Sequence, residues 1–561
     1  MKKQISRIMI IIIFLFQFSL QIFNSGENWA ILACGSSGYV NYRHQADVFH
    51  VYQSLIKRGF SKNHIILFAF DDIAYNPKNP FPGEIYNRPD GPNVYEGVII
   101  DYTYNDVNPE TYLSVLKGDT QKGKLEKVLN STENDNIFMY FSDHGVAGAI
   151  VFPNNKFLYA DELEEAFKVM KSKKMYKNII FYLESCYSGS MFNNINPDLN
   201  VYSITAASPS EKSLATYCYP QDLVKGHEMH TCLSNEFTSN WLDDSDNRLI
   251  FNKNTFNKFM NNINDEYTSH EQYIYVKDLT KNSNVQEYGN LLIGDLPITH
   301  FQSSNDSYND NNNDNNHNKD KENEKDNKEA TEEEDDYYEE IKRRIIEFDL
   351  DDDDNNNNYL NSHKNEESDL DDEEFDDISI YDLANYHPEN ESHDYIYYII
   401  KRNEYMNKIK KNTDKNNTNE EYGTLRGKSK KKKIIKNTKY NLVSSYVKLF
   451  YLELEINEAK NDYQKYLDYK IEITETERTK NLFELLKLKL NIPDKIDISQ
   501  KIDYKCLRYS IQVFKDECGI NERDLEYLSL FSFECSKKNF DTLIIRDSII
   551  ELCKDKKDGL I

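Results

Sequence analysis

Two things are scarce in this chain: positive charge and long apolar runs. Its 561 residues hold 95 Asp and Glu against 68 Lys and Arg, a net charge of −27. A nucleic-acid binder needs a basic footprint, so that class is excluded. The deficit is uneven: +3 over 1–24, −11 over 25–302, −24 over 303–423 and +5 over 424–561. The apolar run Ile8 to Leu20 follows Lys2, Lys3 and Arg7 and is short for a membrane span. It reads as a secretory signal over 1–25, cut near Asn24 to Gly26, with an uncleaved anchor as the alternative. No other stretch is long and apolar enough to span a bilayer. Metal-ligand spacing is lacking too: His227, His230 and Cys232 share a loop but do not make a zinc motif. Neither metal nor cofactor is expected.

The length exceeds what one core supports, so several units are expected. In the first, residues 28–302, apolar runs alternate with helical patterns. Strands are expected at Trp29 to Cys34, His64 to Phe70, Asn136 to Ser142, Asn178 to Leu183 and Val201 to Ser208. Helices are expected at His44 to Arg58, Leu113 to Leu129 and Trp241 to Ile263, and a long surface loop at Asn76 to Gly97. The alternation predicts a three-layer α/β unit with a mainly parallel sheet. Residues 303–437 are dominated by Asn, Asp, Glu and Lys, too polar to offset chain entropy, and read as a disordered linker. Within it, 337–348 and 395–405 could form short helices. Residues 438–561 return to helical spacing and predict a small all-α unit.

Two of the expected strands stop at reactive residues. Asn136 to Ser142 runs into Asp143-His144-Gly145, and Asn178 to Leu183 runs into Glu184-Ser185-Cys186. In a parallel β-α-β arrangement their carboxyl ends share one edge, where α/β sheets place their sites. A thiol and an imidazole would then lie about one strand spacing apart, as thiolate–imidazole catalysis requires. Gly145 allows close backbone approach and can offer an N–H to an oxyanion. Eight cysteines are present. A secretory route allows disulfides. Cys218 and Cys232 flank one loop, Cys506, Cys518, Cys535 and Cys553 cluster near the C-terminus, and Cys34 and Cys186 remain at strand ends. Connectivity stays open at this point.

These motifs, with Asn41-Tyr42-Arg43-His44-Gln45-Ala46-Asp47, Asn87-Arg88-Pro89-Asp90-Gly91, Ser188-Gly189-Ser190 and Asn240-Trp241, carry a family resemblance. The first unit resembles the legumains, asparaginyl endopeptidases among the caspase-like cysteine peptidases. The resemblance implies a caspase-like fold, Cys186 as nucleophile, His144 as general base and acid, and Asn41 as the residue orienting the imidazole. It implies an oxyanion site at the N–H groups of Gly145 and Cys186. The implied substrate-binding set is Arg43, His44, Glu184, Ser213 and Asn235. An Arg together with a carboxylate can satisfy both ends of a carboxamide, a physical reason for cutting after Asn, and after Asp once acid neutralises it. One departure stands out: where the family's pocket has a Gly-Asp pair, this chain has Ser234-Asn235. Ser185 and Tyr187 flank the nucleophile where many relatives have Ala and Glu.

The C-terminal unit resembles the legumain prodomain, a death-domain-like helical module. That resemblance implies disulfides Cys218–Cys232, Cys506–Cys535 and Cys518–Cys553, and a latent proenzyme whose own C-terminal unit covers the site. The +5 unit suits docking on the −11 unit, and acid is expected to weaken such an interface by protonating carboxylates. The Asn-rich linker offers many self-cleavage sites. The implied partners are peptides with Asn or Asp before the cut, and the implied location is the secretory pathway, a lysosome or vacuole, or outside the cell. Some relatives also ligate. The rival readings are a GPI transamidase catalytic subunit and a non-enzymatic binding protein on a peptidase scaffold.

Overall fold

The computed structural model describes residues 26–254 (save 122), 267–304, 442–443, 447–458, 463–493, 496–498 and 500–557. The expected signal over 1–25 and the linker, with its short helices at 337–348 and 395–405, lie outside the described residues. Six strands form the central sheet among those described: β1 (Asn28–Cys34), β2 (Ile65–Phe68), β3 (Asn136–Ser142), β7 (Asn178–Glu184), β8 (Val201–Thr205) and β13 (Gln286–Gly289). Their order is β13-β8-β7-β3-β1-β2, all parallel except the antiparallel edge strand β13. A small hairpin sheet follows β3: β4 (Gly145–Val146), β5 (Ala149–Phe152) and β6 (Lys156–Tyr159).

The central strands are apolar on both faces because both faces are covered. Residues of β1 alternate between two cores: Ala30 and Leu32 face one, Trp29, Ile31 and Ala33 the other. The first core is closed by α1 (Tyr42–Lys57), α4 (Glu236–Asn254) and α5 (Ser269–Leu279) through Phe49, Tyr52, Trp241 and Tyr273. The second is closed by α2 (Pro109–Leu116) and α3 (Ala160–Ser172) through Tyr112, Phe167 and Met170. This is the expected three-layer α/β arrangement with a mainly parallel sheet.

Two local expectations are corrected and one is refined. Residues 113–129 are not one helix. Asn108 caps the Thr111 N–H, Pro109 opens α2, and the helix stops at Leu116, after which Gly118 takes φ 63°. The 76–97 segment is the expected loop at the surface, without helix or strand, but it is anchored at a few buried points. Ile85, Tyr86 and Val94 are buried, and the Asn79 amide donates to the carbonyls of Ile73, Ala74 and Glu84, doing the work of strand partners. The C-terminal region does not start as helix. Leu442–Val443 forms β14, pairing antiparallel with β9 (Leu214–Thr216), which on its other side pairs with β12 (Ser234–Asn235). That edge otherwise leaves backbone groups unpaired. Between β9 and β12 the chain makes a short antiparallel hairpin of β10 (Leu223–Val224) and β11 (His227–Glu228).

The helical unit follows as α6 (Val447–Glu458), α7 (Tyr463–Leu490), α8 (Tyr504–Cys518), α9 (Ser529–Glu534) and α10 (Thr542–Lys557). Phe483, Leu486, Leu507, Phe531 and Ile549 form its core. Disulfides link Cys506 to Cys535, Cys518 to Cys553, and, in the peptidase-like unit, Cys218 to Cys232. The core of the helical unit is continuous with Val146, Ala147, Cys186 and Tyr187, so both units share one apolar cluster.

Gly35 ends β1 where that strand meets β3. A Cβ there would lie 2.3 Å from the Val151 carbonyl oxygen and 2.6 Å from Asp143 Oδ2. The carbonyl belongs to β5 and cannot swing aside. Gly35→Ala is therefore expected to destabilise the chain by about 1–3 kcal/mol, seen as a lowered Tm; an unchanged Tm would contradict this packing.

Candidate active site

β3 and β7 pair in parallel with Ser142 opposite Glu184. Both chains therefore leave the sheet at the same level, and His144 and Cys186 each lie two residues beyond the matched pair. Both are buried, at 7% exposure. Gly145 follows so closely that a Cβ would stand 2.3 Å from the Cys186 carbonyl oxygen. Only glycine permits that approach. Tyr187 turns the chain with φ 56°, its N–H donating to the Glu211 carbonyl at 2.7 Å. Non-glycine residues seldom adopt this region, and those that do cluster at functional sites.

Asn41 ends the short turn before α1. Its Nδ2 donates to the Ser37 carbonyl at 3.1 Å, and its Oδ1 lies 2.9 Å from His144 Nε2. Cys186 Sγ lies 3.9 Å from both the carbonyl and the hydroxyl of Ser213. Burial pushes the thiol up, against the pull of Ser213 and the charge of Lys212. Among the described residues no hydrogen bond joins Cys186 to His144. Instead His144 Nε2 meets Glu522 Oε1 at 2.8 Å, so the imidazole is engaged by the helical unit. Burial opposes charge on Glu522, but the hydrogen bond and charge of His144, with Arg43 and Asn41, bring its carboxyl down to about 2.

Arg43 opens α1 and is fully buried. Its Nε donates to Asn235 Oδ1 and its Nη1 to the Val40 carbonyl, both at 3.1 Å. The Asn235 amide nitrogen donates to Asp47 Oδ2 at 2.7 Å and faces His44 Nδ1 at 3.2 Å. His44 Nδ1 also meets Ser142 Oγ at 3.0 Å. Burial, then the charges of Arg43 and His144, hold His44 well below its usual value, so it is neutral. Glu184 accepts from the Thr238 N–H and hydroxyl through Oε2, while buried Oε1 has no hydrogen-bond partner among the described residues. Burial, with the nearby Asp47 charge, pushes it up to about 8.

The structure thus gathers Asn41, Arg43, His44, His144, Glu184, Cys186, Ser213 and Asn235 at one sheet edge. Sequence reasoning missed Asp47, Ser142, Thr238 and Glu522. Asp47 had a signal: it follows Arg43 by four and His44 by three, one face of a helix. Glu522 had none, since its partner lies on the other unit. His44, Asp143 and His144 also bring one metal-capable atom each within 4.8 Å, a trio their sequence spacing does not show.

Asn235 is an amide where its two faces require one: an acceptor toward Arg43 and a donor toward Asp47. An aspartate could only accept, placing two carboxylates in contact. Burial already pushes Asp47 up to about 6, so its ionisation penalises the fold as pH rises from its ordinary value toward 6. Asn235→Asp is expected to enlarge that penalty, costing about 1–3 kcal/mol at pH 7 and recovering in acid as the pair takes up a proton. Equal Tm losses at pH 7 and pH 5 would refute this.

Residues 28–304 match the Peptidase C13 family model. The chain is 42% identical to legumain of Mus musculus over 282 residues, covering 50% of this chain and 60% of that protein. It is 39% identical to hemoglobinase of Schistosoma japonicum over 289 residues, 51% of this chain and 63% of that one. Legumain of Canavalia ensiformis is 42% identical over 279 residues, 49% and 56% of the two chains. The matches thus span about 60% of the curated relatives' length. A caspase-1 structure from Spodoptera frugiperda covers 45% of this chain and 76% of its own at 9% identity and a TM-score of 0.24, too distant to add to the strand order. A matched sheet edge, the Asn41–His144 hydrogen bond and identities near 40% over the whole first unit lead to one conclusion: through residues 28–304, this chain belongs to the Peptidase C13 family.

Proposed function

We propose that the chain is a cysteine endopeptidase that cuts after Asn, and after Asp in acid, and is made latent by its own C-terminal unit. The observation that carries this is a buried thiol and an Asn-held imidazole leaving adjacent parallel strands at the same level. With Nε2 held by Asn41, Nδ1 is the nitrogen left for the thiol. His144 takes the Cys186 proton, the thiolate attacks the carbonyl, and the N–H groups of Gly145 and Cys186 receive the oxyanion. The imidazolium then protonates the departing amine, and water releases the acyl group. An amine in place of water would give ligation. Arg43 offers donors to a carboxamide oxygen, and the unpartnered Glu184 Oε1 suits its NH2. The three disulfides fit a secretory route, to a lysosome or vacuole or out of the cell.

Latency rests on where the C-terminal unit sits. Leu482, Phe483 and Phe531 share a cluster with Cys186, and Glu522 binds His144. Arg508 clamps Asp161 with bonds of 2.7 and 2.6 Å, and Ser532 Oγ donates to the Ala147 carbonyl at 2.6 Å. Mild acid does not loosen the Glu522 contact. A depressed carboxylate stabilises fully above its ordinary value of about 4.3 and is lost only as pH falls through about 2. The expectation that acid weakens this interface by neutralising carboxylates therefore rests on groups other than Glu522, such as Glu162, which burial pushes up.

Two variants test this. Cys186→Ser should abolish cleavage of Asn-containing peptides and labelling by an acyl-reactive probe. Glu522→Gln should raise the labelling rate of intact, uncut chain at pH 5.5 about tenfold, since a neutral bond replaces a charge-assisted one. Peptide cleavage with no preference for Asn or Asp before the cut would overturn the proposed specificity. Equal labelling of intact wild type and intact Glu522→Gln variant would overturn the latch.

A further inference from the structure

We propose that Lys212 selects the residue on the far side of the cut, taking the carboxylate of a substrate Asp or Glu just after the scissile bond. The inference rests on reading the chain as an Asn-cutting peptidase. Two independent observations carry it, and a third feature shows where it would act.

The first is register. β14 adds antiparallel to β9, with Leu442 opposite Ala215 and Val443 opposite Leu214. Strand addition of this kind is a common way to hold an extended peptide. A substrate strand in that register and direction brings its next residue opposite Ser213 and the one after opposite Lys212. Ser213 is the residue whose carbonyl and hydroxyl stand 3.9 Å from Cys186 Sγ. The attacked carbonyl therefore belongs to the residue facing Ser213, and the amine that leaves belongs to the residue facing Lys212.

The second is that a carboxylate already occupies the place. Lys212 Nζ lies 2.5 Å from Glu526 Oε2, with the two side chains only 14% and 10% exposed. The Tyr187 hydroxyl donates to the Glu526 carbonyl at 3.4 Å, fixing this contact beside the nucleophile. Glu526 lies four residues beyond Glu522 in the short 3-10 helix Glu522–Tyr527, so the cover lays one carboxylate on His144 and another on Lys212. The neighbouring Glu211 is turned elsewhere, its Oε1 accepting from the N–H groups of Ser208 and Asn284. When the C-terminal unit departs, Lys212 loses the Glu526 carboxylate, and an acidic side chain of a substrate can take its place.

The third is in the chain's own linker, whose sequence contains Asn309-Asp310, Asn313-Asp314, Asn323-Glu324, Asn365-Glu366 and Asn419-Glu420. An acidic preference after the cut would direct self-processing to these bonds rather than to Asn-Asn bonds. In each, Cys186 forms the thioester, the C–N bond breaks, and the Asp or Glu leaves as a new amino terminus with its proton from His144.

The test uses purified full-length chain, self-processed in acid and assayed at pH 5.5, on one peptide scaffold with Asn followed by Glu, Gln or Lys. Wild type should cut the Glu peptide about tenfold faster than the Gln peptide, the order expected for a hydrogen bond to a charged group. The Glu-to-Gln ratio should fall to about one in Lys212→Ala, persist in Lys212→Arg, and give way to a Lys preference in Lys212→Glu. Because each ratio is taken within one variant, losses of folded enzyme or of thiolate cancel. A ratio unchanged in Lys212→Ala, or a flat wild-type profile with normal Asn cleavage, overturns the role of Lys212 alone. Failure of wild type to cut any of the three overturns the peptidase reading as well.

Discussion

The pairing of β3 with β7 is the constraint on which the site depends. Seven residue pairs lock the two strands in parallel, ending at Ser142 and Glu184. A slip of one residue would turn Ile137, Met139 and Phe141 out of one core and Phe138 and Tyr140 out of the other. Because both faces are packed, the register is held from both sides. His144 and Cys186 inherit their spacing from this lock rather than from any contact with each other. Gly145 and Tyr187 then answer a local problem: two loops must pass within van der Waals distance directly beyond the strand ends.

Behind the reactive pair lies a buried polar layer with its own logic. Arg43, His44 and Asp47 come from one face of α1, Ser142 from β3, Glu184 from β7 and Asn235 from β12. Such groups survive burial only when their hydrogen bonds are made. Asn235 joins the two charged members by accepting from Arg43 and donating to Asp47. An amide at this position therefore suits the layer, with Asp47 supplying the carboxylate that accepts from it. Among the described residues, Glu184 Oε1 and the nearby Asp143 Oδ1 are buried carboxylate oxygens without a hydrogen-bond partner.

Most of the sheet and the reactive pair were legible because buried strands write themselves as unbroken apolar runs, and because a strand end followed by His-Gly or Ser-Cys has a defined place in an α/β edge. The misreadings have physical causes. The apolar pattern from Leu113 onward continues past Gly118, where the backbone turns left-handed, so periodicity outlasted the helix. The loop at 76–97 was legible from its polar composition, but not its anchors: Asn79 and Asn87 are buried and hydrogen-bonded through their amides. Leu442 and Val443 are too short a pair to register as a strand; what fixes them is the β9 edge, far earlier in the chain. Glu522 and Lys212 are ordinary surface-type residues in the sequence, and only the docking of one unit on the other gives them these partners.

That docking also shows how far net charge can mislead. A +5 unit on a −11 unit suggests basic groups of the cover meeting acids of the peptidase-like unit. Arg508 on Asp161 follows that rule, at the rim. At the catalytic centre the sign reverses: the cover contributes the carboxylates, Glu522 and Glu526, and the covered unit contributes His144 and Lys212, with Arg43 acting on Glu522 through its charge. Long-range attraction between net charges is screened over roughly 10 Å in salt, whereas buried pairs are screened little. Net charge can therefore favour association, but the specificity of closure comes from the inverted local pairs. On the proposed reading those pairs would answer to the same chemistry as a substrate, since His144 and Lys212 meet carboxylates of the C-terminal unit where a peptide would lie.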